Sequence, residues 1–249
     1  MERLNRFLAR SGVASRRGAD ELISSGSVRV NGEVPPPSGV LVDPDKDTVT
    51  VDGRVVKPRT KHRYLMLNKP VGVITTAKDE ASRPTVLDAI GEEGLSGHRL
   101  FPVGRLDADT SGLLVLTDDG ELAFRLTHPR YKVAKEYVAV VAGSPSADDL
   151  ELLRKGVDLD DGKTAPAEVE VAGFDPALGA GHTELRVVIR EGRHRQVRRM
   201  LHAVGHKVQS LRRTGFGPLK VGRLKTGDWR VLGEAEVEAL RRAVRIEPS

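Results

Sequence analysis

Cysteine is absent from the 249-residue chain, which excludes a disulfide framework, thiolate metal sites and thiol nucleophiles. Aromatic residues are scarce, with five Phe, three Tyr and one Trp, so any stacking on nucleobases falls to very few positions. Apolar runs stop at about five residues, too short for a membrane helix. Residues 1–10 are charged and periodic, with no apolar signal core behind them. These features point to a cytoplasmic protein of one or two domains, long enough for a substantial core.

What is present is positive charge, unevenly spread. The formal net charge is only +5, yet residues 190–225 hold eleven Lys/Arg against the single acid Glu191, leaving the rest of the chain at −5. A charge run by itself marks a solvated face. Here it coincides with a helical pattern: Val197, Met200, Leu201 and Val204 form one apolar stripe, with Arg195, Arg198, Arg199 and His202 off it. A basic amphipathic helix without acids beside it fits a polyanion, and phosphate is the obvious anion.

The first 56 residues predict two short helices, around Leu4–Leu8 and from Ser15 to Ile23, then turns at Asn31-Gly32 and Asp52-Gly53 between alternating strands. Arg3, Arg16 and Arg17 lie among the cations of this segment, and residues 57–63 read as a linker. Beyond it, strands are expected at 64–67, 72–75, 113–116, 133–141, 167–171 and 183–189. Helices are expected at 120–126, 146–155, 195–204 and 234–244. Strands and helices mix without regular alternation, which favours an α+β fold with a largely antiparallel sheet.

Several chemistries fail on spacing. Asp43-Pro44-Asp45-Lys46-Asp47 opens like a calcium loop, but Thr48 stands where the glycine belongs and Arg54 where the bidentate acid belongs. Arg223-Leu224 stand where a phosphate loop requires Lys and Ser/Thr. Scattered histidines among cations make a poor metal site. The densest chemical signal is Gly104-Arg105-Leu106-Asp107-Ala108-Asp109-Thr110-Ser111-Gly112, running into the apolar Leu113–Leu116 stretch. The plainer reading is a polar turn before a strand, with Asp109 or Thr110 bonding its backbone. A carboxylate fixed against a rigid strand end is also how a nucleophile or base is held.

That segment resembles the signature of pseudouridine synthases, especially the subfamily that modifies single uridines in small- and large-subunit ribosomal RNA. With three further motifs it stands in the family's order. They are Leu65-Met66-Leu67-Asn68-Lys69-Pro70, then Lys135-Glu136-Tyr137, then Glu191-Gly192-Arg193-His194-Arg195-Gln196-Val197-Arg198-Arg199-Met200. Residues 1 to about 48 resemble the alpha-L RNA-binding motif. The resemblance implies a small RNA-binding domain over 1–58 and a catalytic domain over 59–249, with a central cleft in a mixed, mainly antiparallel sheet.

It further implies Asp107 as the essential aspartate, Tyr137 stacking on the target base, Arg198 pairing with Asp107, and Lys69 shaping the site. Arg105, Arg193, Arg195 and Arg199 are candidate RNA contacts around the cleft, as are Arg3, Arg16 and Arg17 in the small domain. Asp109 occupies a variable position, and nothing catalytic carries over to it. No metal or organic cofactor is implied. The implied partner is ribosomal RNA or a ribosomal subunit precursor, large-subunit RNA favoured, met by a monomer with no membrane association. Whether the aspartate attacks as a nucleophile or removes a ribose proton stays open. Two other readings compete: an RNA-binding assembly factor, and a hydrolase using Asp107 and Asp109. The second is disfavoured, because carboxylates two residues apart crowd one face instead of flanking a sugar at roughly 5–9 Å.

Overall fold

The computed structural model describes residues 1–77, 79, 81–173 and 181–246. The chain divides into two compact units. The first comprises residues 1–63 with 97–99 and 118–120. After β1 (Glu2–Arg3) come α1 (Leu4–Arg10) and α2 (Arg16–Ser24), then β2 (Val28–Val30), β3 (Leu41–Val42), β4 (Val49–Val51) and β5 (Arg54–Val56). Ser15 caps α2 by accepting from the Gly18 N–H. The β4–β5 hairpin turns through Asp52 and Gly53, both at positive φ, as the Asp-Gly pair predicts. The Asn31-Gly32 turn closes only a single bridge between Val30 and Glu33, because β2 pairs with β4 instead. Leu4, Phe7, Leu8, Ile23, Val28 and Val49 form this unit's core.

Residues 57–63, read as a linker, are tied within this unit from Arg59 onward. The Arg59 N–H donates to the Arg10 carbonyl (3.0 Å), and the Arg63 N–H donates to Asp118 (2.9 Å). Asp118 also meets His62 Nδ1 (3.2 Å) and His98 Nδ1 (2.8 Å), contacts that hold its pKa down to about 2 despite its burial.

The second unit holds β6 (Tyr64–Lys69), α3 (Val86–Leu95), β7 (Phe101–Pro102), β8 (Ser111–Thr117), α4 (Gly120–Thr127), β9 (Lys135–Ala142) and α5 (Ala147–Lys155). There follow β10 (Asp158–Leu159), β11 (Gly162–Lys163), β12 (Glu168–Gly173), β13 (His182–Ile189), α6 (Gln196–Ala203), β14 (Val208–Phe216), β15 (Leu219–Lys220), β16 (Trp229–Val231) and α7 (Glu234–Ala243). Its main sheet runs β12-β13-β9-β14-β8-β6-β16, with β15 on β14 and β7 on β8. All these pairings are antiparallel except β14 with β8. The fold is thus α+β with a mainly antiparallel sheet. One core packs on one side around Leu67, Leu114, Ala139, Leu185 and Met200, another around Met66, Val115, Leu122, Phe216 and Leu240.

Three expectations change. Residues 72–75 form no strand, only an isolated bridge between Ile74 and Thr85. Helix α3 and the central strand β14 were not anticipated. Among the described residues no helix is long and apolar enough to cross a membrane.

Candidate active site

One register row across the second unit's sheet positions the site. Lys69 on β6 lies opposite Gly112 on β8, Gly112 opposite Arg213 on β14, and Arg213 opposite Tyr137 on β9. Gly112 is required there. Its φ is +110°, and a Cβ would collide with the Arg213 backbone. The strand therefore reaches close to β14 immediately after the turn that carries Asp107.

That turn is closed by the Thr110 N–H donating to the Asp107 carbonyl (3.0 Å). The 72–75 segment clamps it from outside. The Gly72 N–H donates to the Ala108 carbonyl (2.8 Å), and Thr75 Oγ1 donates to the Leu106 carbonyl (2.7 Å) while accepting from the Leu106 N–H (3.2 Å). Buried Leu106 anchors the turn in the core. Asp107 is left partly exposed on the wall of a cavity of about 330 Å³. Arg105, Lys135, Tyr137, Arg193, Arg195 and Arg213 share that lining.

Helix α6 packs Val197, Met200 and Leu201 into the core with Val204 half-buried against it, the stripe the sequence predicts. Its arginines are placed differently from expectation. Arg198 pairs with Asp109, not Asp107. Its Nη2 donates to the Asp109 carbonyl (2.8 Å) and its Nε lies 3.4 Å from the Asp109 carboxylate. Arg195 donates from both terminal nitrogens to Asp109 (3.0 and 2.7 Å) and keeps only a 3.9 Å contact with Asp107. This pairing lowers the Asp109 pKa and raises that of Arg195, whereas burial lowers that of Arg198.

Arg199, expected to face RNA, instead pairs with Asp160 and Asp161 in the turn of the β10–β11 hairpin. Arg193 donates to the Asp161, Gly162 and Lys163 carbonyls of the same hairpin. The Arg199 hydrogen bonds, with Arg193 adding to them, hold the Asp161 pKa down to about 2.

Lys69 is fully buried and donates to the Pro70 (2.9 Å) and Val73 (2.6 Å) carbonyls. Burial pushes its pKa down to about 8 against the opposing pull of Asp107 and Asp109. Its Val73 partner belongs to the segment that clamps the turn. Lys135 is likewise pushed to about 8, by burial first and by Arg213 second. Arg213 is 2% exposed, donates through Nε to the Leu113 carbonyl (2.7 Å), and lies 5.0 Å from the Phe216 ring centroid.

Asp107, Tyr137, Arg105, Arg193 and Arg195 thus share one cavity, with Arg198 bound to the turn and Lys69 bound to the segment that clamps it. Arg3, Arg16 and Arg17 are exposed residues of the first unit. Lys135, Arg213 and Asp109 were not expected to contribute. Lys135 was legible in principle, two residues before Tyr137 and hence on the same strand face. Among the described residues no group of three or more His, Asp or Glu is placed to hold a metal ion.

A strand-end carboxylate, a strand tyrosine and a basic helix thus surround one cavity, and comparison with known proteins supplies the class. The RNA pseudouridylate synthase family model matches residues 63–203 and the S4 domain model residues 2–34, so the chain belongs to the RNA pseudouridylate synthase family. It is similar to ribosomal large subunit pseudouridine synthase B of Bacillus subtilis, at 45% identity over 97% of this chain and 96% of that one. An uncharacterized RNA pseudouridine synthase of Aquifex aeolicus is 44% identical over 98% of this chain and 96% of that protein. A crystal structure of a pseudouridylate synthase superposes with a TM-score of 0.67 at 30% identity, covering 96% of this chain and all of the other. The chain is an RNA pseudouridine synthase, an isomerase, with an S4 RNA-binding domain.

Proposed function

We propose that this enzyme converts one particular uridine of ribosomal RNA, in the large subunit, with Asp107 as its catalytic carboxylate. The target is supported by the Bacillus subtilis relative, whose name places its activity on the large subunit and which aligns along nearly its whole length. Ribosomal RNA as substrate makes the cytoplasm the place of action. The observation that carries the catalytic part is Asp107 on the wall of the cavity that Tyr137 also lines.

Pseudouridine formation breaks the bond from the ribose anomeric carbon to base N1 and forms one to base C5. The proton leaving C5 is balanced by one gained at N1. No electrons are lost and no water is consumed. Asp107 starts the cleavage either by attacking the sugar or by removing a ribose proton. The cavity, near the lower end of the roughly 300–1,000 Å³ usual for ligand sites, suits one extruded nucleoside and not a duplex. The uridine must therefore leave its stack. Tyr137 offers its ring to the base, an interaction worth about 1–3 kcal/mol. Arg105 at the cavity and Arg3, Arg16 and Arg17 of the S4 domain take phosphates, which position the RNA without reading it, whereas Arg193 and Arg195 are already held by the β10–β11 hairpin and by Asp109.

Mapping pseudouridines in ribosomal RNA from cells with and without this gene tests the target. One large-subunit position should revert to uridine in the deletion strain and return on complementation. An unchanged large-subunit map, or a loss confined to the small subunit, would overturn it.

A further inference from the structure

The turn that carries Asp107 contains a second carboxylate, and it is this second one that the arginines bind. Asp109 takes both terminal nitrogens of Arg195 at 3.0 and 2.7 Å, while the closest approach of Arg195 to Asp107 is 3.9 Å. Asp109 also carries Arg198 on its backbone carbonyl at 2.8 Å, with Arg198 Nε 3.4 Å from its carboxylate. We propose that Asp109 is a positioning residue for the reaction: it anchors the start of α6 to the Asp107 turn and draws Arg195 away from Asp107, leaving that carboxylate open to the ribose.

Two observations converge. First, a carboxylate closed in a bidentate arginine pair has its lone pairs occupied and its charge matched, which suits neither nucleophile nor base. Asp107 and Asp109 compete for one guanidinium, and the geometry favours Asp109. Second, Arg195 is held in the left-handed region at φ +49°, immediately before α6 and with no side-chain cap. A non-glycine residue keeps such a conformation only where its surroundings fix it, and the Asp109 pair is what fixes this side chain. Arg198 holds the turn through the Asp109 carbonyl, and its buried Nε, which makes no hydrogen bond, faces the Asp109 carboxylate as an ion pair. A displacement of about 1 Å at reacting groups is worth up to about 100-fold in rate, and Asp109 connects both arginines to the turn.

This inference rests on the reading of Asp107 as catalytic, and the experiment separates the two. Single-turnover pseudouridine formation at saturating ribosomal RNA and RNA affinity are measured for the wild type, Asp109→Asn, Asp109→Glu, Arg195→Gln, Asp109→Asn/Arg195→Gln and Asp107→Asn. Asp109→Asn should lower the rate about 10–100-fold, with affinity unchanged within about threefold or tighter because an anion near RNA phosphates is removed. Asp109→Glu, which keeps the charge, should recover part of the rate. The double variant should be no slower than the slower single one, since the two residues act as a unit. A full rate in Asp109→Asn beside an inactive Asp107→Asn overturns the role of Asp109 alone. Activity in Asp107→Asn overturns the reading beneath it. If Asp109→Asn does not fold, Asp109→Ser is measured in its place, and a full rate there at saturating RNA overturns the proposal.

Discussion

A lysine free in water holds its proton to about pH 10.4, but Lys135 in the cavity wall gives it up near pH 8 because burial disfavours the charge. Between those values the unfolded chain binds a proton that the folded chain lacks, so the contribution of Lys135 to stability rises with pH. Below pH 8 the folded state carries the full cost of burying the cation. Unfolding free energy measured by denaturant from pH 7.5 to 10 should climb more steeply in the wild type than in Lys135→Met, by about 1–3 kcal/mol. Parallel curves would show that Lys135 is not desolvated. The same scale marks what the sequence could and could not disclose. Asp107 and Tyr137 were legible because each lies within a short motif. The partner of Arg198 was not: Arg198 and Asp109 are 89 residues apart, and only the sheet brings α6 over the turn.

Among the elements, β8 and β14 set the site, and their parallel contact depends on Gly112. Gly112→Ala would meet the Arg213 backbone and strain a φ of +110°, so strand separation would disturb Asp107 and Arg213 together. The expected loss is about 2–4 kcal/mol of stability, with pseudouridine formation falling further than RNA affinity. Thermal unfolding of Gly112→Ala beside Ser111→Ala checks this, and equal melting temperatures would refute the close approach. Strand β14 escaped sequence reading because Val208–Phe216 is polar and bears Arg212 and Arg213. It is central only because Arg213 is buried on a carbonyl and against an aromatic ring. Helix α3 escaped because Gly91 and Gly94 interrupt its apolar pattern, and the backbone does kink at Gly91. Helix α6, with an unbroken stripe, was legible.

Across the whole molecule, the basic segment 190–225 is less bare than its composition suggests. Arg190 pairs with Glu168, Lys220 with Glu136, Arg195 with Asp109, and Arg199 with Asp160 and Asp161. These acids lie outside the segment, so counting charge along the chain could not reveal them. Arg193 and Arg198 of the same segment are paired as well, with Asp161 and Asp109, while the S4 domain model matches residues 2–34, where Arg3, Arg16 and Arg17 are exposed. The central claim, isomerisation driven by the Asp107 carboxylate, is tested most directly by tritium release from C5-labelled uridine in ribosomal RNA taken from cells lacking this gene. The wild-type protein should release the label while the RNA keeps its base and its unlabelled mass. Asp107→Asn should bind that RNA within a few-fold of wild type and release none. Release by Asp107→Asn at more than a small fraction of the wild-type rate, or liberation of free uracil by the wild type, would contradict the account.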